Sequence, residues 1–363
     1  MVTRREILGS TTLLVSSPLT SSSRDVYGEP IVLSKVCKGR TFVDETSIVQ
    51  NAIYEAIETQ RPLIIDIACR VSSLVIHKAN GLFVWQCAPI VGLKKGDFEA
   101  LLRFEDASDV SWAGRLWMSC QWNAGYGSCV SFQARPGLIT GNISVPDWSI
   151  TGSRTAFQFG RKSPDQGAIS EISIGGGASY GCPNVVSAWG SETVVSFNGA
   201  NLVANHLGGS AEWARLASDA VIVAGSHISI LGGEVQHNAS AEGAAFVLQP
   251  SPSRPQASYG SIVVMGAQIE SAGPLLIARD EPGISIENGS GHAFFEGCTG
   301  YHSQRDFPFV STGKQFTGRV RIGDGCFFRA GGQRVAPIYE NLGGAAIHVP
   351  EQAFNKLFRP LAK

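Results

Sequence analysis

From about residue 80 onward the chain is built of short runs in which apolar and polar residues alternate, each run stopped by glycine. Strict alternation over four to eight residues is the mark of a half-buried strand. The stretch 229–240, SILGGEVQHNAS, is one such run, and it has copies. Aligned on the pattern apolar, polar, apolar, any, Gly, small, polar, the chain offers ISIGGGA at Ile172, VSFNGAN at Val195, ISILGGE at Ile228 and IVVMGAQ at Ile262. Weaker copies are WSITGSR at Trp148, AFFEGCT at Ala293 and, one residue out of step, VRIGDGC at Val320, with VSWAGRL at Val110 as an earlier one. Successive starts from Trp148 to Val320 lie 23 to 34 residues apart. Between them stand further apolar runs, AVIVAG, GAAFVLQ and PLLIAR, so a unit holds up to three short strands.

A unit of this kind cannot bury its inward face alone. Stacked units pair every strand with the next at about 4.8 Å and share one continuous core. The pattern therefore predicts an all-β fold, a right-handed, single-stranded parallel β-helix. Ile228, Ile230, Ile262 and Val264 point inward, Ser229 and Val263 outward, and Cys298 and Cys326 take the small inward position held by Gly233 and Ala267. One helix precedes the coils. In TFVDETSIVQNAIYEAIETQRPLIIDI, Asp44 or Thr46 caps a helix whose apolar face is Ile48, Ala52, Ile53, Ala56 and Ile57, and Pro62 ends it before PLIIDI. The organisation expected is residues 1–25 as an export leader or a disordered, partner-docking N-terminus, 26–80 as a cap, 81–330 as β-helix, and 331–363 as a C-terminal tail.

Composition narrows the partners. Only 16% of the 363 residues are charged, the formal net charge is -1, and no lysine occurs between residues 163 and 313. No basic stripe is available there to neutralise a phosphate backbone, which argues against nucleic acid as a partner. At the N-terminus TRREIL, residues 3–8, resembles a twin-arginine export leader, although no small-x-small cleavage site stands before Arg24. No apolar run is long enough to span a membrane. The eight cysteines include no C-x-x-C pair; their even number permits disulfides, and burial as small hydrophobes is the favoured reading for most. No metal, nucleotide or phosphate-loop motif is present, so no cofactor is expected.

The segment DETSIVQNAIYEAIETQRPLIIDI, residues 44–67, together with the coils after it resembles the pectate-lyase-like superfamily, including phage tailspikes and capsule or exopolysaccharide depolymerases. The resemblance covers roughly residues 41–329. The usual PAG-x-Y continuation of the cap is replaced by DIACRV. What it implies is a polysaccharide or oligosaccharide ligand, export to the periplasm or exterior or a place on a virion tail, and, for a spike, a homotrimer. It implies no single activity, because the superfamily holds hydrolases, lyases, epimerases and non-catalytic binders.

The repeat alignment does locate candidate chemistry. Glu234 falls on one outward ladder with Ala178, Asn201, Gln268 and Thr299, and Glu270 on the next with Tyr180, Val203, Gln236 and Tyr301. The two glutamates then stand one coil apart and two residues along, with backbones about 8 Å apart. An inverting glycosidase needs two carboxyls about 6.5–9.5 Å apart, one as acid and one to activate water. Gln236, His237 and Gln268 are expected to orient sugar hydroxyls beside them. Other acids compete: Asp147 next to Trp148, Glu212 next to Trp213, and Glu296 beside an aromatic pair. An apolar ring both raises a carboxyl pKa and stacks on a sugar face. A lyase would need cations and a base instead, for which Arg215, Arg279 and Arg305 with His206, His237 or Tyr301 are the available set. A binder that holds a glycan without cutting it would use Tyr180, Trp189, Trp213 and Tyr301 as aromatic edges.

Overall fold

The computed structural model describes residues 28–37, 44–93, 98–121, 126–190, 194–204, 220–238, 243–251, 259–281, 286, 289–302, 307–330, 338–350 and 353. The leader segment lies outside them. Among the described residues thirty strands form two parallel sheets, one of twenty strands and one of ten. Every ladder among the named strands is parallel, and each strand pairs with the equivalent strand of the coil before and after. That is a right-handed, single-stranded parallel β-helix.

The larger sheet is two ladders meeting at a corner. One face runs through Ile143, Ile172, Val195, Ile228, Ile262, Ala293, Val320 and Ile347. The other runs through Ala178, Asn201, Glu234, Gln268, Thr299 and Phe327. In four successive coils the corner between them is made by Gly199, Gly232, Gly266 and Gly297, all at φ between 60° and 69°. A side chain at such φ is strained, so the glycine of the repeat pattern is there to turn the strand. Two strands, Ile139–Thr151 and Ala168–Tyr180, run on across the corner without breaking. The copy expected at Trp148 is corrected by this. Ile143, not Trp148, pairs with Ile172, while Trp148 pairs with Gly177 on the second face.

Alternation places the core where the pattern requires. Ile228, Ile230, Ile262, Val264 and Ile269 are all buried, and Ser229 and Val263 face outward. On the ten-stranded sheet Phe104, Phe132 and Phe159 stack ring on ring, with centroids 4.8 and 4.9 Å apart and planes 6° and 8° from parallel. The strand spacing itself sets that distance, and each such pair adds about 0.5–1.5 kcal/mol beyond the area it buries. All eight cysteines are free thiols and seven are buried, Cys87 being the exposed one. Cys298 and Cys326 stack as expected and donate to the carbonyls of Val264 and Phe295 at 3.5 and 3.4 Å.

The helix Thr46–Thr59 covers the open end of the stack. Its buried face is Val49, Ala52, Ile53 and Ala56, so Val49 takes the place expected of Ile48, which is half-buried. The N-cap position is Glu45, not the expected Asp44 or Thr46, and no side chain caps it; Asp44 and Thr46 instead tie down the chain around it. The Asp44 carboxylate accepts the Thr46 N–H at 2.9 Å, and the Thr46 hydroxyl accepts the Ser72 N–H at 2.7 Å. The Gln50 side chain then does what a preceding strand would do. Its amide donates to the Val75 carbonyl at 2.7 Å and its oxygen accepts the Val75 N–H at 2.8 Å. A first strand left bare would be an aggregation edge, and the helix closes it.

Candidate functional site

On the second face the strands Glu234–His237, Gln268–Ser271 and Thr299–His302 stack in the order expected. Glu234 pairs with Gln268 and Gln236 with Glu270, so the glutamates sit diagonally across one coil boundary, their backbones about 8 Å apart. Gln236 donates its amide to one oxygen of Glu270 at 3.1 Å, and Gln268 donates to the other at 2.9 Å. Burial, and after it the charge of Glu270, push the Glu234 carboxyl above its ordinary pKa. Tyr301, 44% exposed, pairs with Glu270 in the next coil. Sequence reasoning missed Arg329, which follows Tyr301 on the same ladder and lies over the Phe327 ring at 5.7 Å. Its signal was the out-of-step copy at Val320. One extra residue in the GDG turn shifts the ladder, and once it is allowed for, Arg329 falls into line.

Other expected members are placed elsewhere. His237 is buried, because the alternation that turns Glu234 and Gln236 outward turns Val235 and His237 inward; it cannot line the patch. Arg279 follows the strand Leu276–Ala278 on the ten-stranded sheet, away from the glutamates. Asp147 is paired with Arg115 at 2.8 Å, and the Trp148 indole beside it is buried, donating to the Gly175 carbonyl at 3.1 Å, so it offers no sugar platform. Trp189 is likewise nearly buried, with the Lys162 ammonium 5.2 Å from its ring centroid. Glu296 packs over the Gly323–Gly325 turn, away from Glu234. Glu212, Trp213, His206, Arg215 and Arg305 lie outside the described residues.

Two features were not foreseen. His77, Glu105 and Asp106 bring ligand-type atoms within 4.8 Å of one another. Arg135 already holds Asp106, and Arg103 holds Glu105 at 3.3 Å, so this acidic group is balanced by cations of the chain itself. The second is a groove of about 790 Å³ on the first face, around His292 and Arg319. It does not include either glutamate.

Fold and register together define a right-handed parallel β-helix with a polar, carboxylate-bearing outer face. No protein-family model matches the chain, and no curated protein matches it. Among solved structures it is similar to tailspike protein 2 of the Escherichia coli O157:H7 bacteriophage CAB120, at 8% identity over 87% of this chain and 42% of that one, TM-score 0.46. It is similar to the tailspike protein of the Acinetobacter phage vB_ApiP_P1 at 12% identity over 87% and 60%, TM-score 0.42. For the A-module of a mannuronan C-5 epimerase of Azotobacter vinelandii the figures are 12% identity, 88% and 100%, TM-score 0.36. The chain spans less than two thirds of either tailspike's length. Likenesses this loose add nothing to the fold, which rests on the strand pairings themselves. No helix among the described residues is long and apolar enough to cross a membrane.

Proposed function

We propose that the face carrying Glu234 and Glu270 is the catalytic centre of a polysaccharide depolymerase that hydrolyses glycosidic bonds. One observation carries this reading: two carboxyls sit diagonally across one coil boundary, and burial, then the charge of the second, raises the pKa of the first. A carboxyl kept protonated at higher pH is the general acid for the glycosidic oxygen, and that role goes to Glu234. Glu270 is the base. Two amide donors fix its oxygens, and a carboxylate with about four lone-pair sites still has two for a water. With their backbones about 8 Å apart, the two side chains can hold their carboxyls at the separation that admits a water, which is the arrangement for inversion at the anomeric carbon. Tyr301 stacks on the sugar, and the free donors and acceptors of Gln236 and Gln268 orient its hydroxyls.

The test is incubation with acidic and neutral exopolysaccharides, reading reducing ends and ultraviolet-absorbing unsaturated ends separately. Reducing ends alone, lost in Glu234→Gln and in Glu270→Gln while binding persists, are the expected result. Unsaturated ends would mean a lyase, with Arg329 as the cation beside Tyr301. Full activity in either variant discards the pair. A second reading, a glycan-binding spike without turnover, is supported by the groove on the first face, which no carboxylate among the described residues lines. The leader pattern at Arg4 and Arg5 favours an exported enzyme, and a trimeric virion spike is the counterpart of the binding reading. The mass of the mature N-terminus and the mass of the native particle separate the two.

A further inference from the structure

The groove on the first face is built from two outward rows. One is His227, Ser261, His292 and Arg319, paired in that order and ending at Ala346. The other is Val263, Phe294, Arg321 and His348. Four strand spacings take the first row about 19 Å along the helix axis. At the corner before these rows a Cβ on Gly260 would meet the Ala224 carbonyl at 2.6 Å, and one on Gly318 would strike the Gly291 carbonyl, so no side chain stands there and the corner stays low. That opens the space of about 790 Å³, and a second depression of about 290 Å³ continues it past Arg319 and Arg321 to His348.

The chemistry of the lining is one-sided. No Asp or Glu among the described residues lines either depression. Arg319 and Arg321 are exposed and make no ion pair with any described residue. Arg321 lies over the Phe294 ring at 5.4 Å, which fixes the plane of its guanidinium while leaving N–H groups free. Ser261 and His292 are joined at 3.2 Å. Arg319 and Arg321 stand two residues apart on one strand and face the same way, and no ion pair with a described residue offsets their charges, so stability does not account for the arrangement. A positive groove with low walls focuses its field on an anion.

We infer that this groove is a binding site for a carboxylated glycan lying along the helix axis, its carboxylates on Arg319 and Arg321 and its hydroxyls on Ser290 and Thr317. The planar guanidinium takes a carboxylate through two parallel hydrogen bonds, whereas a phosphate backbone would call for a longer basic track than these coils, free of lysine from residue 163 to 313, provide. The inference rests on the carbohydrate reading above but uses neither glutamate.

The experiment measures binding of the full chain to polygalacturonate, alginate and hyaluronate at low salt, beside fully methyl-esterified polygalacturonate and a single-stranded oligodeoxythymidine. At least one of the three acidic glycans binds, the ester does not, and Arg319→Ala and Arg321→Ala each weaken binding about tenfold, the loss of one charge-assisted contact. Arg→Lys at either position recovers only part of the loss, because lysine cannot form the bidentate pair. Glu234→Gln and Glu270→Gln bind as the wild type does. The inference is overturned if none of the three acidic glycans binds, if the ester binds equally, if the arginine variants bind unchanged, or if the oligonucleotide binds as tightly through the same arginines. Loss of turnover in the glutamate variants with unchanged affinity in the arginine variants would refute the groove and leave the catalytic pair standing; the reverse pattern would do the opposite.

Discussion

The two outward faces of the larger sheet are made by the same coils and gather different side chains. Ser261–Met265 and Gln268–Ser271 are consecutive strands of one coil, separated only by the corner at Gly266. Their inward residues, Ile262, Val264 and Ile269, are interchangeable in kind and all buried. Outward, the first face gathers His292, Arg319 and Arg321, and the second Glu234 and Glu270. In a parallel stack each outward side chain faces its equivalent one coil away, and like charges there oppose folding. Folding thus dictates the inside and is indifferent or hostile to what gathers outside. Where like charges nevertheless collect on one face, a ligand is the better explanation than stability.

The sharpest way to break this contrast is on the acidic face. Glu234→Gln or Glu270→Gln is expected to lower turnover about 10²- to 10⁴-fold, the usual worth of a positioned acid or base, while the unfolding midpoint stays near that of the wild type. A fall in stability matching the fall in rate would show the glutamates to be structural. The complementary change is inside. Phe132→Ala removes the middle ring of the Phe104–Phe132–Phe159 stack, at a cost of about 3–5 kcal/mol by urea unfolding, and it weakens both faces together because they share one core. An inward change that silenced one face and spared the other would contradict the single continuous core.

How much of this could be read from residues alone follows the same division. The repeat was legible because the corner glycines must take positive φ and the inward positions must be apolar, and those two demands recur coil after coil. The ladders containing Glu234 and Glu270 came with them. His237 went astray through its polarity, since its position, three residues after Glu234, already turned it inward. Trp148 was taken for a coil start because Ile139–Thr151 crosses the corner unbroken, leaving its true start, Ile143, without a glycine to mark it. The basic groove lay beyond reach for another reason. His227, Ser261, His292 and Arg319 stand one residue before the pattern begins, and single polar residues at irregular spacings of 27 to 34 look like ordinary surface until strands bring them together.

On the basic face the contrast sharpens with salt. Binding of a carboxylated glycan is expected to weaken as ionic strength rises, since the Debye length falls from about 10 Å at 0.1 M to about 3 Å at 1 M and the arginines are exposed. In Arg319→Ala, Arg321→Ala the remaining binding should lose most of that dependence. A salt response that survives removal of both arginines would assign the attraction to some other part of the surface.

The smallest expected effect returns to Glu234. Its pKa is raised in the folded chain, by burial first and by Glu270 second, so the folded state holds that proton more tightly than the unfolded one. A group of this kind contributes stability that is fully present below its unfolded pKa, about 4.3 for a glutamate, and is lost as pH rises through the folded pKa. Glutamine has no such proton. The difference in urea midpoint between wild type and Glu234→Gln should therefore move against the wild type as pH climbs from about 4 into the range just above, and then level off. Because the site is half-exposed, the change should stay below about 1 kcal/mol. Carrying out the same titration in a Glu270→Gln background removes the second of the two causes and should shrink the effect without abolishing it. A pH-dependent change of the same size in both backgrounds would mean that Glu270 does not act on Glu234 across the coil boundary, and the acid-and-base pair would lose the coupling on which it depends.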